Sequence, residues 1–586
     1  MILKKVLSPV SDALDRVCSV AIVLMLGLMV IITAAQIICR TFFTSLTWSD
    51  EVTRYLLIWS TFLGATCVYR HSGNIAITFI QSMVSKRVGA FMRIAVHAVC
   101  CLLFAVLLYY SCKYCGKLNK TATAMPIKMK YIYLCIPISM GIMMLHALVM
   151  VLGEAESLKG GQGIMALILF GVFIALLLLG VPVAFAICSA AAATMFAGFG
   201  DAKMMIIVQR MFASCDSFSL IAVPFFIFAG DLLAGGKISK VLVEFCESLL
   251  GMIKGGLSVV SVLAGMFFAA ISGSGAATTA AVGATLVPEL KKRGYREDSA
   301  AALVAAAGTI GVVIPPSVPM VLYAVIAEES VSRLFSAGFL PGVIMGLMLI
   351  AISLYQAYKN DYPKGKPFSL RNVAKTFFKA IPGILMPAII LGGIFSGYFT
   401  PSEAAAVAVV YALLVLTFVY RDMSFKKLYT TMLGSAKTSA VIMIIIACSG
   451  PFGWALANWK IPEAISAAVL SVSTNKYVIL FLISLIILVA GVFMETSSAI
   501  IILTPVFLPL IRALGISTLH FGILFVVGIA IGMITPPVAI NLFVASGITN
   551  LPLEKISKAV VPYLIGLIVV FLAIVYLPLF IPGFIV

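Results

Sequence analysis

Charge is scarce in this chain: Asp, Glu, Lys and Arg make up 11% of its 586 residues, while 62% are hydrophobic. A soluble domain runs at about 25% charged and about 45–50% apolar, so too little polar surface exists to wrap a water-soluble body of this length. The mean hydropathy of +1.16 says the same. Period-two alternation is missing too, nearly every apolar run being broken by Gly or Pro, which excludes an outer-membrane barrel. No GxxxxGK[ST] loop occurs, so the chain itself cannot hydrolyse ATP. The four histidines, His71, His97, His146 and His520, lie far apart, and the single CxxC, Cys112 to Cys115, has no second pair. Neither pattern points to a metal or redox centre. Acidic residues number only 22 against 40 Lys and Arg. The basic residues sit in connectors and form no stripe interleaved with stacking aromatics, so positive-inside bias explains them and nucleic acid does not.

What is present is a succession of long apolar segments. At roughly 20 residues per span, the length allows on the order of fifteen crossings, and the expected class is an all-α polytopic membrane protein. Most of the twelve cysteines, such as Cys18, Cys100, Cys188 and Cys448, lie inside apolar segments, where cysteine behaves as a small hydrophobe. The opening MILKKVLSPVSDALDRVCSV lacks an early cleavage site, so the first apolar run is expected to be a retained span.

Texture divides the chain. Residues 1–153 hold four apolar segments, near 17–40, 51–69, 90–112 and 131–152. A hydrophilic, glycine-rich linker occupies 154–163, and residues 164–586 alternate Ala/Gly/Ile/Leu-rich segments with Gly-Pro and Pro-Pro interruptions. This second region repeats itself at a constant shift of 221, which lays Pro288 on Pro509, Gly294 on Gly515, Gly311 on Gly532, Pro315 on Pro536, Pro316 on Pro537 and Pro341 on Pro562. Each copy runs in the same order: a small polar cluster (GSGAATT at 273–279, METSSA at 494–499), an apolar stretch, a polar turn, then a helix broken by Pro-Pro.

A helix broken at membrane depth leaves backbone groups without intrahelical partners, and such groups persist only where they line protein or a wet cavity. Paired re-entrant hairpins and broken helices in two repeats mark a transporter's binding site. The expected hairpins lie at about 272–290 and 493–511. The connector 359–379 is strongly basic and reads as cytoplasmic; Lys291, Lys292, Arg293 and Arg296 follow the first hairpin, whereas only Arg512 follows the second. That asymmetry fits an inverted repeat, with one hairpin opening inward and the other outward. The first region gives no consistent parity, because Lys113, Lys117, Lys120, Lys128 and Lys130 fall opposite Lys4 and Lys5.

The stretch GGIFSGYFTPSEAAAVAVVYAL from Gly392 resembles the large-subunit signature of the tripartite ATP-independent periplasmic (TRAP) transporters. So do LLLLGVPVAFAI from Leu176, the first hairpin ISGSGAATTAAVGATLVPELKKRGY, IPPSVPMVLYA from Ile314 and GMITPPVAINLFVASGI from Gly532. WSDEVTRYLLIWSTFLGATCVYRHSGNIAI from Trp48 is similar to the small subunit. The likeness spans nearly the whole chain in the right order, as in a fused membrane component. It implies a small-subunit region over 1–153 and a transport region over 164–586. It further implies sodium-coupled symport of an organic acid anion, delivered by a periplasmic substrate-binding protein, by an elevator mechanism in the bacterial inner membrane. A carrier of this kind is not an enzyme.

The resemblance suggests a second-repeat sodium site from Gly491, Gly532, Thr535 and Val538, largely through carbonyls. The 221-residue shift transfers it to Ala270, Gly311, Ile314 and Ser317, with Ser272 beside them. For the substrate, the hairpin tips and breaks offer Ser272, Ser274, Ser317, Thr496, Ser497 and Asn541; small residues at these places also serve helix packing. No Arg or Lys lies in the tips. Glu495 either binds a cation or proton or ends a helix, and Glu403 in TPSEA reads as part of a capping box. Trp48 reads as an interfacial anchor, and Asp50, Glu51 and Arg54 suit a charge pair with the large region. The competing reading is a stand-alone ion-coupled anion carrier without a binding protein. An intramembrane enzyme would need converging acids, histidines or a metal set that the apolar segments lack. Sialic acid, C4-dicarboxylates, sugar acids and small sulfonates all suit such a site.

Overall fold

The structure is a computed structural model describing residues 2–71, 86–154, 172–199, 204–234, 237–365, 367–459, 475–536 and 539–581. The expected linker at 154–163 therefore lies, apart from Glu154, outside the described residues. Among those described, the chain is helical throughout, with two isolated β-bridges, Thr121–Lys128 and Lys254–Lys364. Among the described residues ten helices are long and apolar enough to cross a membrane, or up to eleven with the bent pair Met205–Cys215 and Phe218–Leu233. Several further apolar helices, such as Gly256–Ser272, Val318–Ala327 and Ile540–Thr549, are only 10–17 residues long. They are arms and halves rather than full spans.

The helices divide into two units, Met1–Pro224 with Met432–Pro462, and Phe225–Thr431 with Glu463–Val586. The first contains α1 (Ile2–Phe42), α2 (Ser49–Arg70), α3 (Lys86–Lys117), α4 (Met129–Tyr133), α5 (Cys135–Glu154), α6 (Phe173–Leu178), α7 (Val183–Phe199) and α8 (Met205–Cys215). Its polar anchor is the start of α2. The Glu51 carboxylate accepts from the backbone N–H of Thr123 (2.9 Å) and Ala124 (2.6 Å) and from the Tyr55 hydroxyl (2.6 Å). One turn on, Arg54 reaches Asp216, just past α8, at 2.8 Å. Here is the charge pair expected of the Trp48 segment. Aromatic contacts continue the same packing: Tyr133 stacks on Phe212 at 3.7 Å, and Tyr69 meets Phe185 edge-on at 5.6 Å.

After α9 (Ala222–Ala234), the second unit continues with α10 (Lys237–Leu250), and two hairpins organise it. The first joins α11 (Gly256–Ser272) to α12 (Gly275–Lys292); α13 (Glu297–Thr309) follows, then a 3-10 turn Ile310–Val312, α14 (Val318–Ala327) and α15 (Val331–Lys359). After α16 (Leu370–Phe395) and α17 (Pro401–Leu414), the chain passes through α18 (Phe425–Asn458), which from Met432 on belongs to the first unit, and the order then recurs as α19 (Lys476–Phe493), α20 (Thr496–Ala513), α21 (Thr518–Gly532), α22 (Ile540–Thr549) and α23 (Leu553–Phe580). The repeat shift read from punctuation residues reappears in helix ends. Gly275 and Thr496 open matching arms, Glu297 and Thr518 matching helices, and Lys359 and Phe580 close the last pair. The segments 272–290 and 493–511 cover a tip and second arm only. The first arms, α11 and α19, are uninterrupted apolar helices and so carry no punctuation to read.

The copies interlock: α12 lies against α22 while its counterpart α20 lies against α14. The last pair, α15 and α23, runs antiparallel. Tyr563 near the start of α23 donates to Gln356 near the end of α15 at 3.2 Å, and Gly566 faces Met348 further back. In α17, Thr400 and Glu403 form a complete capping box, as TPSEA suggested.

Glycine sets one close approach. A Cβ on Gly532 would collide with the backbone of Gly491, and one on Gly491 would lie 3.1 Å from the carbonyl oxygen of Ile529. Gly532→Ala is therefore expected to force α19 and α21 apart, costing roughly 1–3 kcal/mol. A lower melting temperature of the purified protein would show it; an unchanged one would mean the helices separate freely.

Candidate functional site

The first hairpin turns on Gly273, whose φ of +59° is left-handed and favours glycine. A Cβ there would also lie 2.6 Å from the Pro316 carbonyl and 3.4 Å from the Cα of Ser317. The tip is thus pressed onto the break of its own repeat. Ser274 caps α12, and the Ser272 hydroxyl bonds Thr278 at 2.9 Å and the Ser274 carbonyl at 3.2 Å. Gly311 admits this contact, for a side chain there would meet the Thr278 hydroxyl at 2.6 Å and the Ser274 carbonyl at 2.7 Å.

At the break itself, Pro315 and Pro316, joined by a cis peptide, supply no N–H. Ser317 stands in for a missing donor, giving its proton to the Val312 carbonyl at 2.5 Å while accepting from the Met320 N–H at 3.4 Å. The side chains of Ser317 and Ile314 are buried, and Ala270 is half-buried.

In the second repeat, Glu495 is the N-cap of α20, accepting from the Ser498 N–H at 3.1 Å and the Ser497 hydroxyl at 3.0 Å. It begins the following helix rather than ending the preceding one, which closes at Phe493. Thr496 is buried and donates to the sulfur of Met533 at 3.4 Å. Thr535 returns its proton to the Ile531 carbonyl at 2.9 Å. Val538 and Pro537 lie outside the described residues.

The two repeats meet around Met533 and Asn541. Met533 touches Thr496 at the second tip, and its sulfur lies 3.0 Å from where a Cβ on Gly275 would stand at the first. Asn541, fully buried, donates its amide to the Ala305 carbonyl on α13 at 3.2 Å, while its backbone N–H bonds the Met533 carbonyl at 3.0 Å. Its side-chain oxygen has no partner among the described residues. The structure therefore gathers Ser272, Ser274, Gly311 and Ser317 in one neighbourhood, Gly491 and Gly532 in another, and links both tips through Met533. Thr278 and Met533 went unnamed in the sequence. Only Thr278 carried a signal, lying one helical turn beyond Ser274.

Proton bookkeeping divides these groups. A hydroxyl that gives its proton to a carbonyl presents lone pairs outward and suits a cation; Ser317 and Thr535 are of this kind. Ser274 accepts from the Ala277 N–H, at 3.5 Å, and has no acceptor for its own proton among the described residues. Thr496 spends its proton on a thioether, a weak acceptor. These two tip hydroxyls remain suited to an anion.

Comparison with known proteins agrees on the family. Residues 170–580 match the "Tripartite ATP-independent periplasmic transporter, DctM component", and residues 29–157 match the corresponding DctQ component. The isethionate TRAP transporter permease protein DctMQ of Oleidesulfovibrio alaskensis is 36% identical, over 91% of this chain and 87% of its own length. The C4-dicarboxylate TRAP transporter large permease protein DctM of Pseudomonas aeruginosa is 40% identical over 65% and 89%. The sialic acid TRAP transporter large permease protein SiaM of Vibrio cholerae is 34% identical over 70% and 96%. The chain is a multi-pass membrane permease, not an enzyme, and belongs to the TRAP transporter family with its DctQ and DctM components fused.

Proposed function

We propose that this permease imports an organic acid anion, a carboxylate or a small sulfonate, together with sodium, after delivery by a periplasmic substrate-binding protein. The observation that carries the reading is the approach of both hairpin tips to Met533 beside two helix breaks. Sodium would use the lone pairs left outward by Ser317 and Thr535, with carbonyls near Ala270, Gly311, Ile314, Gly491, Gly532 and Val538 and the Ser272 hydroxyl. The anion would take Ser274 and Thr496, supported by Asn541 and Ser497, with bound sodium offsetting its charge in place of an Arg or Lys. The antiparallel run of α15 and α23, which are matched helices, supports inverted-topology repeats. Such repeats suit an elevator in which hairpins and broken helices move together. The fused relative named for isethionate favours placing sulfonates beside carboxylates among the candidates.

Uptake into proteoliposomes tests this directly, using isethionate, C4-dicarboxylates, sialic acid and sugar acids, with and without the cognate binding protein and an inward sodium gradient. One substrate should accumulate only when both are present. Uptake independent of the binding protein would instead establish a stand-alone carrier, and uptake indifferent to sodium would remove the coupling ion.

Single hydroxyl deletions separate the two roles. Ser317→Ala should raise the sodium concentration for half-maximal uptake by roughly 3- to 10-fold, and Ser274→Ala should raise the substrate KM by a similar factor, each losing one ligand of about 1 kcal/mol. The reverse pattern would exchange the assignments.

A further inference from the structure

Away from the hairpins, the second unit contains a cleft of 630 Å³ where the start of α13, the end of α15 and the start of α23 come together. Its polar lining includes Arg296, Asp298, Lys359, Lys555 and Lys558, with Tyr355 at the edge. Arg296 and Asp298 cancel. The guanidinium grips the carboxylate through Nη2 at 2.6 Å and Nε at 3.2 Å, and this bond holds the Asp298 carboxyl below its usual range. Three ammonium groups remain, and none has a carboxylate partner among the described residues. Two helix N-termini, those of α13 and α23, open on the same space and add positive partial charge.

The repeat itself does not call for this charge. At the positions matched by the repeat, Lys555 becomes Leu334, Lys558 becomes Ala337, Lys359 becomes Phe580 and Arg296 becomes Ser517. Leu334 and Ala337 are buried, whereas Lys555, Lys558 and Lys359 are exposed, so the matched helix ends stand in different surroundings and only this one is basic.

The surface leading away from the lysines is apolar and exposed. On α23, Lys558 is followed at i+3, i+7 and i+11 by Val561, Ile565 and Val569, which are 45%, 57% and 54% exposed. On α15, Tyr355 and Leu347 form a similar strip, 67% and 59% exposed. A free phosphate would have no use for these strips. A phosphate that carries acyl chains would use both, and basic pockets between spans on the cytoplasmic side are suited to anionic lipid headgroups.

We propose that this cleft binds the headgroup phosphate of an anionic phospholipid from the cytoplasmic leaflet, with Lys359, Lys555 and Lys558 on the phosphate and the acyl chains along α15 and α23.

The test uses the purified full chain and native mass spectrometry. Phosphatidylglycerol and phosphatidylcholine of identical chains are offered together, with inorganic phosphate as a separate competitor. The parent protein should retain phosphatidylglycerol preferentially and keep it in the presence of inorganic phosphate. The double substitution Lys555→Gln/Lys558→Gln should weaken that retention on the order of tenfold, while Lys555→Arg/Lys558→Arg should preserve it. Removing two charges from the nearby basic connector, with Lys375→Gln/Lys379→Gln, should leave it unchanged. No preference between the lipids in the parent, which needs no variant to fold, would overturn the proposal. So would equal loss in the connector variant, which would reduce the effect to general surface charge, or displacement by inorganic phosphate, which would assign the cleft to a soluble anion.

Discussion

Backbone groups cut off from helical partners inside hydrocarbon cost several kcal/mol each, and the second unit is arranged around meeting that cost twice. At the first break the Val312 carbonyl receives a proton from Ser317, and the Gly273 tip seats against Pro316. At the second, Thr535 closes back on Ile531, and Met533 offers its carbonyl to the Asn541 N–H. Each solution is local, short and made of small residues. Because small hydroxyl side chains do this repair, the place where the helix fails is also a place where oxygen lone pairs collect. The repair of the breaks and the sites proposed above therefore draw on the same atoms.

This coupling explains which parts of the molecule could be read from the sequence. Pro315, Pro316, Gly311 and their counterparts 221 residues later declare themselves because proline and glycine act on their own backbone, wherever the neighbours lie. The repeat, both breaks and both tips followed from them. The first arms α11 and α19 did not, since an unbroken apolar helix looks the same as an arm or as a span. Partner choice was equally hidden: Asn541 stood out as a polar residue after a break, yet nothing local links it to Ala305, 236 positions away. Glu495 shows the limit most plainly, because an acid beside a tip reads equally as a ligand or a cap until its Ser497 and Ser498 partners are seen.

In the first unit a different economy holds. Polar contacts there gather at the two ends of α2: Arg70 and His71 at its end reach Asp12 and Asp15 of α1, and a second cluster sits at its head. Glu51 fixes the backbone at Thr123 and Ala124 before α4, and Arg54 fixes Asp216 after α8. Neither charge is left unsatisfied. The apolar faces beyond them, such as Tyr133 on Phe212, then need only complementary shape. Asp216 lies within the DctM match and Arg54 within the DctQ match, so this pair ties the two fused components together.

The antiparallel placement of matched helices α15 and α23 has a consequence for biogenesis. On the inverted-repeat reading proposed above, a backbone whose halves are alike but opposed has no intrinsic up or down. The decision falls to side chains that differ between copies. Lys359, Lys555 and Lys558 gather at one end, while Phe580, Leu334 and Ala337 occupy the matched places at the other. Translocating ammonium groups is disfavoured, so these lysines add to the basic residues after the first hairpin and elsewhere in the 359–379 connector in favouring one orientation.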